Sequence, residues 1–197
     1  MLKLSLCAAA ALCAAMTFNS CKDDKGGDTP PPASGSTVID APGFDKWVYF
    51  SFDKEAVIET DGSYSALYNS KTWDLAFHRG DIRTNSGPSG CGNGGAYKTS
   101  STDMSTVTEK PGEVTYTIDT KAEISFPDMR TKAEQSKNEA LADWYTSSGM
   151  PPTYTVNGNV YFIKTAEGKY AKVKFTDYTN DKGEGGHIAF EYEYPVE

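Results

Sequence analysis

Hydrophobic and polar residues alternate in several short segments of this chain, and such alternation is typical of half-buried β-strands. The last segment is the clearest, because five apolar residues there recur at every second position: Ile188, Phe190, Tyr192, Tyr194 and Val196. Other segments are rich in the aromatic and β-branched residues that favour strands. They are 47–52, 72–79, 115–120, 123–126 and 170–178. The pattern predicts a chain built mostly of β-strands.

Two of these strands carry more specific expectations. The alternation in residues 72–79 predicts that four side chains share one face: Trp73, Leu75, Phe77 and Arg79. The dipeptide Asn157-Gly158 lies between the strand-like segments 153–156 and 159–164. Because Asn-Gly favours a tight two-residue turn, these two segments are predicted to pair as a hairpin.

Residues 131–144 differ from the rest of the chain. Thr131 and Glu134 have the spacing of a capping box, which marks the start of a helix. Ala133, Leu141 and Trp144 would then fall on one helical face. The fold class that we expect is therefore all-β, a single antiparallel β domain with one short helical insertion.

The N-terminus has the features of a secretory signal peptide over residues 1–20, with Lys3 followed by an apolar run that is too short to span a bilayer. Cleavage there would leave Cys21 at the new N-terminus, where it can be lipidated; a plain secreted protein is the alternative. Residues 22–36 are rich in Asp, Gly, Pro and Ser, which is typical of a flexible tether. We therefore expect a signal peptide (1–20), a lipidated tether (21–37) and a folded domain (38–197).

Charge and cysteine content exclude some functions. Without the signal peptide the chain has 177 residues and a net charge of −9, which argues against nucleic acid as a partner. Beyond Cys21 only Cys91 remains, so an internal disulfide is not expected. The segment 87–95 is rich in glycine but lacks the spacing of a phosphate-binding loop.

Five segments, taken in order, carry a resemblance to a known family. They are TWDLAFHRGDIRTN (72–85), the glycine-rich 87–95, PPTYTVNGNVYFI (151–163), AKVKFTDY (171–178) and EYPV (193–196). Together they resemble the HmuY family of haem-binding surface lipoproteins, the haemophores of Bacteroidetes, over about residues 38–197. The resemblance implies a non-enzymatic, mostly β domain whose projecting segments hold haem. It also implies that the protein is anchored by lipid to the outer membrane at the cell surface, and passes haem to a TonB-dependent outer-membrane haem receptor.

The two histidines of the chain are poor candidates for haem ligands. His187 lies on the outward, acidic side of the last strand and is expected to be a solvated surface residue. His78 lies in a strand that the family shares as framework, where a structural histidine is expected. Cys91, in the glycine-rich segment, is expected to be an ordinary loop thiol.

Methionines occupy the positions that the resemblance implies for the ligands. The two ligand-bearing segments of the family match residues 125–131 and 145–153, which contain Met129 and Met150 and no histidine. Some members of the family use a methionine pair, and this chain resembles that branch, so Met129 and Met150 are the expected axial ligands of the haem iron. A thioether is a soft, neutral donor that suits low-valent iron. The alternatives are that Met129 fills a gap in the core and that Met150 packs on Pro151.

A second function remains open on the sequence alone. The chain has 12 tyrosines and 3 tryptophans, which would equally suit a non-catalytic surface β-module that binds glycan or another protein. An enzyme is not expected, because neither an acid pair nor a nucleophile motif is evident.

Overall fold

The computed structural model describes residues 32–60 and 64–197; the predicted signal peptide, Cys21 and most of the predicted tether lie outside these ranges. The described chain forms 13 β-strands, and every strand pair is antiparallel. The all-β expectation is thereby confirmed. Among the described residues, no helix is long and apolar enough to cross a bilayer.

The strands form two larger sheets and two separate hairpins. The five-stranded sheet has the order β1-β13-β12-β11-β6, and the four-stranded sheet has the order β3-β2-β4-β5. The first sheet comprises β1 (Ala33–Asp40), β6 (Gly95–Lys98), β11 (Val160–Lys164), β12 (Tyr170–Thr179) and β13 (Gly185–Val196). The second comprises β2 (Val48–Ser51), β3 (Ala56–Ile58), β4 (Leu75–His78) and β5 (Asp81–Thr84). The hairpins are β7 (Thr120–Ser125) with β8 (Lys132–Lys137), and β9 (Tyr145–Ser148) with β10 (Thr153–Val156).

Within residues 32–60 and 64–197, helical structure is confined to short turns. One α-helical turn, α1, covers Tyr64–Tyr68, and three 3₁₀ turns cover Gly87–Ser89, Met104–Thr106 and Glu139–Leu141. The helix predicted over residues 131–144 is wrong, because Lys132–Lys137 is strand β8 and only Glu139–Leu141 is helical. The backbone N–H and C=O groups of β8 are paired with those of β7, whereas in a helix they would be hydrogen-bonded within the segment itself.

The main core lies between the two larger sheets. Phe50 and Phe77 of the four-stranded sheet pack on Phe190 of β13, with ring centroids 5.4 and 5.8 Å apart. A smaller cluster covers the opposite face of the four-stranded sheet and includes Trp73 and Ile124 of β7. That sheet is therefore buried on both faces, which positions the β7–β8 hairpin against it.

The buried second face corrects one sequence expectation. Leu75 and Phe77 lie in the main core as predicted, but Trp73 precedes β4 and packs in the smaller cluster. Arg79 follows β4 and has a left-handed backbone with φ of 53°. The strand alternation therefore holds only within β4 and does not extend to the residues that flank it.

The termini of the domain and the predicted Asn-Gly hairpin also differ from expectation. Residues 33–37, which composition placed in the tether, belong to β1 and pair with β13 along its length. Although Asn157 and Gly158 do separate β10 from β11, β10 pairs with β9, and β11 pairs with β6 and β12. The hairpin prediction is wrong because the pairing partners are set by the sheets and not by the local turn.

Candidate functional site

Met129 lies in the loop that joins β7 to β8, residues 126–131. Asp128 shapes this loop, because its Oδ1 accepts hydrogen bonds from the backbone N–H groups of Arg130 at 2.7 Å and Thr131 at 2.8 Å. Phe126 N–H donates to the carbonyl of Thr131 at 2.8 Å and closes the loop. The Met129 side chain is 69% exposed at this loop. A carboxylate-ordered turn thus presents a thioether to solvent.

Met150 occupies the matching position in the second hairpin. It lies in the turn of residues 149–152 between β9 and β10, after Gly149, whose φ of 82° favours glycine. Its side chain is 98% exposed. Both methionine loops include a cis prolyl bond, at Pro127 in one and Pro151 in the other.

The exposure of the two methionines argues against the two packing roles that the sequence left open. Met129 is too exposed to be a core filler, and Met150 is too exposed to pack on Pro151. The structure does not bring the two thioethers into contact, since Met150 has almost no side-chain contacts. Each methionine lies at the turn of its own hairpin, and its exposed side chain contributes little to the stability of the fold.

A cleft of about 260 Å³ lies between the two hairpins. Ser125 and Lys132 of the β7–β8 hairpin line one side, and Tyr145 of β9 lines another. Phe44 and Arg79 contribute from segments next to the four-stranded sheet. We call this space the inter-hairpin cleft. Ser125 adjoins the loop that carries Met129, whereas Tyr145 lies at the opposite end of β9 from the Met150 turn, and neither methionine lines the cleft.

The charged side chains of the inter-hairpin cleft have a net positive charge. Three cations line it, Arg79, Lys132 and Lys137, against two carboxylates, Asp81 and Glu123. The whole chain has a net charge of −8, so this cleft departs from the general surface. Such a local excess of cations favours an anionic group of a ligand.

Arg79 and Lys137 are held in place by neighbouring groups. The Arg79 guanidinium lies 4.5 Å from the centroid of the Phe44 ring and donates to the carbonyl of Pro42. Lys137 Nζ lies 3.3 Å from Asp81 Oδ1. Burial alone would raise the pKa of Asp81, but His78 and Lys137 bring it below its usual value. Both cations are therefore already positioned before a ligand arrives.

Tyrosines form the floor of the cleft. Tyr145 stacks on Tyr178 with ring centroids 4.3 Å apart, and Tyr154 packs against Tyr178 at 4.8 Å. Burial raises the pKa of Tyr145 and of Tyr178 above the ordinary phenol value. A tyrosine that ligates haem iron does so as an anion, so the raised pKa values disfavour that role, and the two stacked rings form aromatic walls of the cleft.

His78 is buried and lines the inter-hairpin cleft. It is 1% exposed, and its Nε2 lies 3.0 Å from the carbonyl oxygen of Phe44, which requires Nε2 to donate. Nδ1 lies 3.9 Å from Asp81 Oδ2, longer than a hydrogen bond. The ring packs against Trp47 and Phe126 at 5.2 and 5.7 Å. His78 thus packs against Phe126, the first residue of the loop that carries Met129.

His187 lies near the start of β13, opposite Asp40 of β1. Its Nδ1 is 2.7 Å from Asp40 Oδ1, and its Nε2 is 3.3 Å from Asn180 Nδ2. It is not among the residues that line the inter-hairpin cleft. Cys91 is exposed and unpaired in its loop, and it does not line the cleft either.

The sequence reasoning missed the basic and aromatic lining of the cleft. Arg79 was assigned to a strand face, while Lys132 and Lys137 were assigned to a helix that does not exist. No spacing in the sequence joins these residues, because they meet only through the packing of separate hairpins. The signal that could have been used is the clustering of tyrosines at 145, 154 and 178.

Comparison with known proteins identifies the fold. The model of the family described as HmuY protein matches residues 44–192. A solved structure from Bacteroides vulgatus ATCC 8482, described as HmuY-like and haem-binding, is 30% identical, covers 83% of this chain and 93% of its own, and has a TM-score of 0.69. The apo HmuY analogue of Tannerella forsythia is 27% identical, with coverage of 86% and 100% and a TM-score of 0.67.

A third structure, described as a lipoprotein of Bacteroides fragilis NCTC 9343, is 24% identical, with coverage of 83% and 90% and a TM-score of 0.65; this likeness shows the fold alone. Comparison with curated protein sequences gives no match. The family model covers most of the chain, and the B. vulgatus structure is 30% identical over 83% of it, so this chain belongs to the HmuY family.

Proposed function

We propose that this protein is a haemophore that binds haem between its two hairpins, with Met129 and Met150 as the axial ligands of the iron. The observation that carries the proposal is the pair of exposed methionines, one at the turn of each of the two hairpins that contribute to the inter-hairpin cleft; neither methionine lines the cleft itself. Membership of the HmuY family supports haem as the ligand. The B. vulgatus structure described as haem-binding supports it as well.

The residues of the cleft suit the two halves of haem. The apolar ring system matches the aromatic walls given by Phe44, Tyr145 and Tyr178. The two propionates match the cations Arg79 and Lys132, and arginine pairs well with carboxylates. The cleft is smaller than the roughly 300–1,000 Å³ of a typical small-molecule pocket, so it holds only part of the ligand. The rest is left to the exposed methionine loops.

Ligation by two axial thioethers requires the hairpins to hold the sulfur atoms of Met129 and Met150 at a fixed distance. Metal–sulfur bonds of about 2.3 Å place the two sulfur atoms roughly 5 Å apart across the iron. Because the Met150 side chain is 98% exposed, its movement toward Met129 on haem binding would break few side-chain contacts. We infer that the ligand itself brings the two thioethers together.

The proposal extends to location and delivery. We propose that residues 1–20 are removed as a signal peptide and that Cys21 carries the lipid that anchors the protein to the outer membrane. A protein tethered there would pass haem to a TonB-dependent outer-membrane haem receptor, as a carrier and not an enzyme. Mass analysis of the protein isolated from its native membrane should show acyl chains on Cys21. A mature N-terminus at any other residue would contradict this location.

A haemin titration followed by visible absorbance tests the function. Wild-type protein should give a sharpened Soret band that saturates at one haem per chain. Met129→Ala and Met150→Ala should each weaken binding at least about tenfold, which is a loss of roughly 1.4 kcal/mol. Met104→Ala is the matched control, because Met104 lies in a distant 3₁₀ turn and should bind as wild type does. Absence of saturable binding by wild type would instead favour a surface module for glycan or protein.

A further inference from the structure

The side chains of Met129 and Met150 are open to small oxidants in solution. Both are exposed, whereas Met104, the third methionine of residues 38–197, is only partly exposed in a 3₁₀ turn outside both hairpins. A thioether is oxidised to a sulfoxide by a reagent that reaches its sulfur atom. The three methionines therefore differ in how readily they are oxidised, and the two exposed ones are the proposed ligands of the haem iron.

The two hairpin turns do not depend on the methionine side chains for their shape. The Met129 loop is ordered by the carboxylate of Asp128, which accepts hydrogen bonds from backbone N–H groups. The Met150 turn contains Gly149, whose φ of 82° favours glycine. An oxygen added to either sulfur would lie in solvent and would break none of these contacts. Oxidation therefore changes the donor atoms and leaves the fold of the hairpins as it is.

We propose that Met129 and Met150 form an oxidation-sensitive switch on haem binding, a modification site that takes a neutral hydroperoxide such as hydrogen peroxide. This inference rests on the proposed function, because the switch acts through the methionine ligands. The sulfur lone pair attacks one peroxide oxygen, so that an S–O bond forms, the O–O bond breaks and the other oxygen leaves as water after proton transfer. The sulfur is oxidised by two electrons and the peroxide is reduced. The net charge of −8 repels anionic oxidants but not an uncharged peroxide.

Conversion to the sulfoxide removes the property that suits these methionines to ferrous haem. A thioether is a soft donor, whereas a sulfoxide is polar and presents a hard oxygen atom to the iron. Because both axial positions need a thioether, oxidation of either methionine lowers the affinity for ferrous haem. Methionine sulfoxide reductases restore the thioether, so the switch is reversible.

Treatment of the haem-free protein with hydrogen peroxide, removed before haem is added, tests the switch. Peptide mass analysis should find one added oxygen on Met150 and Met129 before it appears on Met104. Titration with haem in the presence of dithionite should then show an affinity at least about tenfold lower than that of untreated protein. Circular dichroism should be unchanged. Incubation with the two methionine sulfoxide reductases, one for each epimer, should restore the affinity.

The test is made in a Cys91→Ser background, because Cys91 is exposed and its thiol also reacts with peroxide. In that background, the double variant Met129→Leu with Met150→Leu should bind haem weakly before peroxide and no more weakly after it. Met104→Leu is the matched control and should respond to peroxide as Cys91→Ser does, since Met104 lies outside both hairpins.

The outcomes separate the switch from the proposed function. If the oxidised protein keeps its affinity while the double leucine variant loses it, the switch is wrong and methionine ligation stands. Oxidation of Met104 ahead of Met129 and Met150, or an equal effect of peroxide on the double leucine variant, would also overturn the switch. Haem binding by the double leucine variant as tight as in Cys91→Ser, or no binding by untreated protein, would overturn the proposed function and the switch together.

Discussion

Thr84 binds the buried carboxylate of Asp119 with both its backbone and its side chain. Its N–H donates to Asp119 Oδ1 at 3.1 Å and its hydroxyl donates to the same oxygen at 2.6 Å. Ser89 and Asn138 donate to the same carboxylate, at 2.5 and 2.9 Å. Asp119 immediately precedes β7 and Asn138 immediately follows β8. One carboxylate therefore ties both ends of the β7–β8 hairpin to β5 and to the loop after it.

Replacement of Asp119 should loosen the base of the hairpin that carries Met129. In Asp119→Asn one acceptor oxygen is replaced by an amide NH₂ group, which is itself a donor and faces the donors from Thr84 and Ser89. Buried donors without an acceptor cost about 1–3 kcal/mol each, so the free energy of unfolding should fall by about 2–4 kcal/mol. Urea denaturation measures it, with exposed Asp181→Asn as a control within about 0.5 kcal/mol of wild type. Equal stability of the two variants would show that this network contributes little.

Gly80 sets the position of the second hairpin. A Cβ at residue 80 would lie 2.2 Å from the hydroxyl oxygen and 2.3 Å from Cε1 of Tyr145, and Tyr145 is held by its stack on Tyr178. Gly80→Ala should therefore displace Tyr145, the residue that begins β9, and weaken haem binding by about tenfold. Gly112→Ala is the matched control, since a Cβ there meets nothing within 4 Å. Soret titrations of both variants separate a local displacement from a general effect of added methyl groups.

Burial of Asp74 predicts a dependence of stability on pH. Asp74 accepts hydrogen bonds from Phe52 N and Ala166 N, both at 2.9 Å, yet burial raises its pKa above the ordinary value of 3.8. The folded protein then holds a proton that the unfolded chain has already released. The contribution of Asp74 to the free energy of unfolding is therefore greatest below pH 3.8 and is lost as the pH rises through the folded pKa.

Comparison with Asp74→Asn isolates this group, because the other carboxylates are common to both proteins. The difference in unfolding free energy, wild type minus variant, should decrease from about pH 4 towards pH 7 and then stay constant. Urea denaturation at several pH values measures it. A difference that grows with pH would mean that the two backbone hydrogen bonds outweigh burial and lower the pKa of Asp74.

The next prediction is that neither histidine ligates the haem iron. His78 lines the inter-hairpin cleft, but it is 1% exposed and its Nε2 donates to Phe44, and His187 pairs with Asp40 outside the cleft. We therefore expect neither imidazole to ligate the iron. A double variant, His78→Ala with His187→Ala, should bind haem within about twofold of wild type, a change of roughly 0.4 kcal/mol. Circular dichroism reports whether it is folded, and His78→Gln serves where the alanine leaves too large a void. Loss of the Soret band in a folded variant would make an imidazole the ligand.

Sequence patterns predicted the strands of this fold better than its connections. The alternation in β13 survives because one face of that strand packs on the main core, with Ile188 and Phe190 buried. The sequence of β8 led to a wrong prediction of a helix, because its alanine, glutamate and lysine residues favour helices. Its pairing with β7 depends on residues outside the segment. Arg83 is an example of a long-range contact, since its Nε donates to the carbonyl of Ser136 at 2.8 Å, 53 residues away.

The candidate site was predictable only in part. The positions of Met129 and Met150 came from a resemblance, and their place at two hairpin turns could not be read from the sequence, which predicted a helix between them. The cations of the inter-hairpin cleft, Arg79 and Lys132, are 53 positions apart and meet only in the folded chain. Local patterns contain no information on such a meeting, because it depends on how each hairpin packs on the four-stranded sheet.

Methionine ligation should select the redox state of the bound haem. A thioether is uncharged and does not offset the extra positive charge of ferric iron, so methionine ligands raise the reduction potential of haem. We expect this protein to bind ferrous haem at least about tenfold more tightly than ferric haem, a difference of roughly 1.4 kcal/mol. Titration with and without dithionite measures it. Met129→Ala and Met150→Ala should lose the preference, and Met104→Ala should keep it, since Met104 lies in a 3₁₀ turn outside both hairpins.

The same ligands should make binding insensitive to pH. An imidazole ligand titrates at about pH 6.5 and leaves the iron as it is protonated, whereas a thioether takes up no proton in this range. Affinity for ferrous haem should therefore change by less than about threefold between about pH 5 and pH 8. A decline centred at about pH 6.5 would assign a histidine to the iron. Equal affinity for both redox states, or unaltered binding by Met129→Ala and Met150→Ala, would remove the methionine pair from the mechanism.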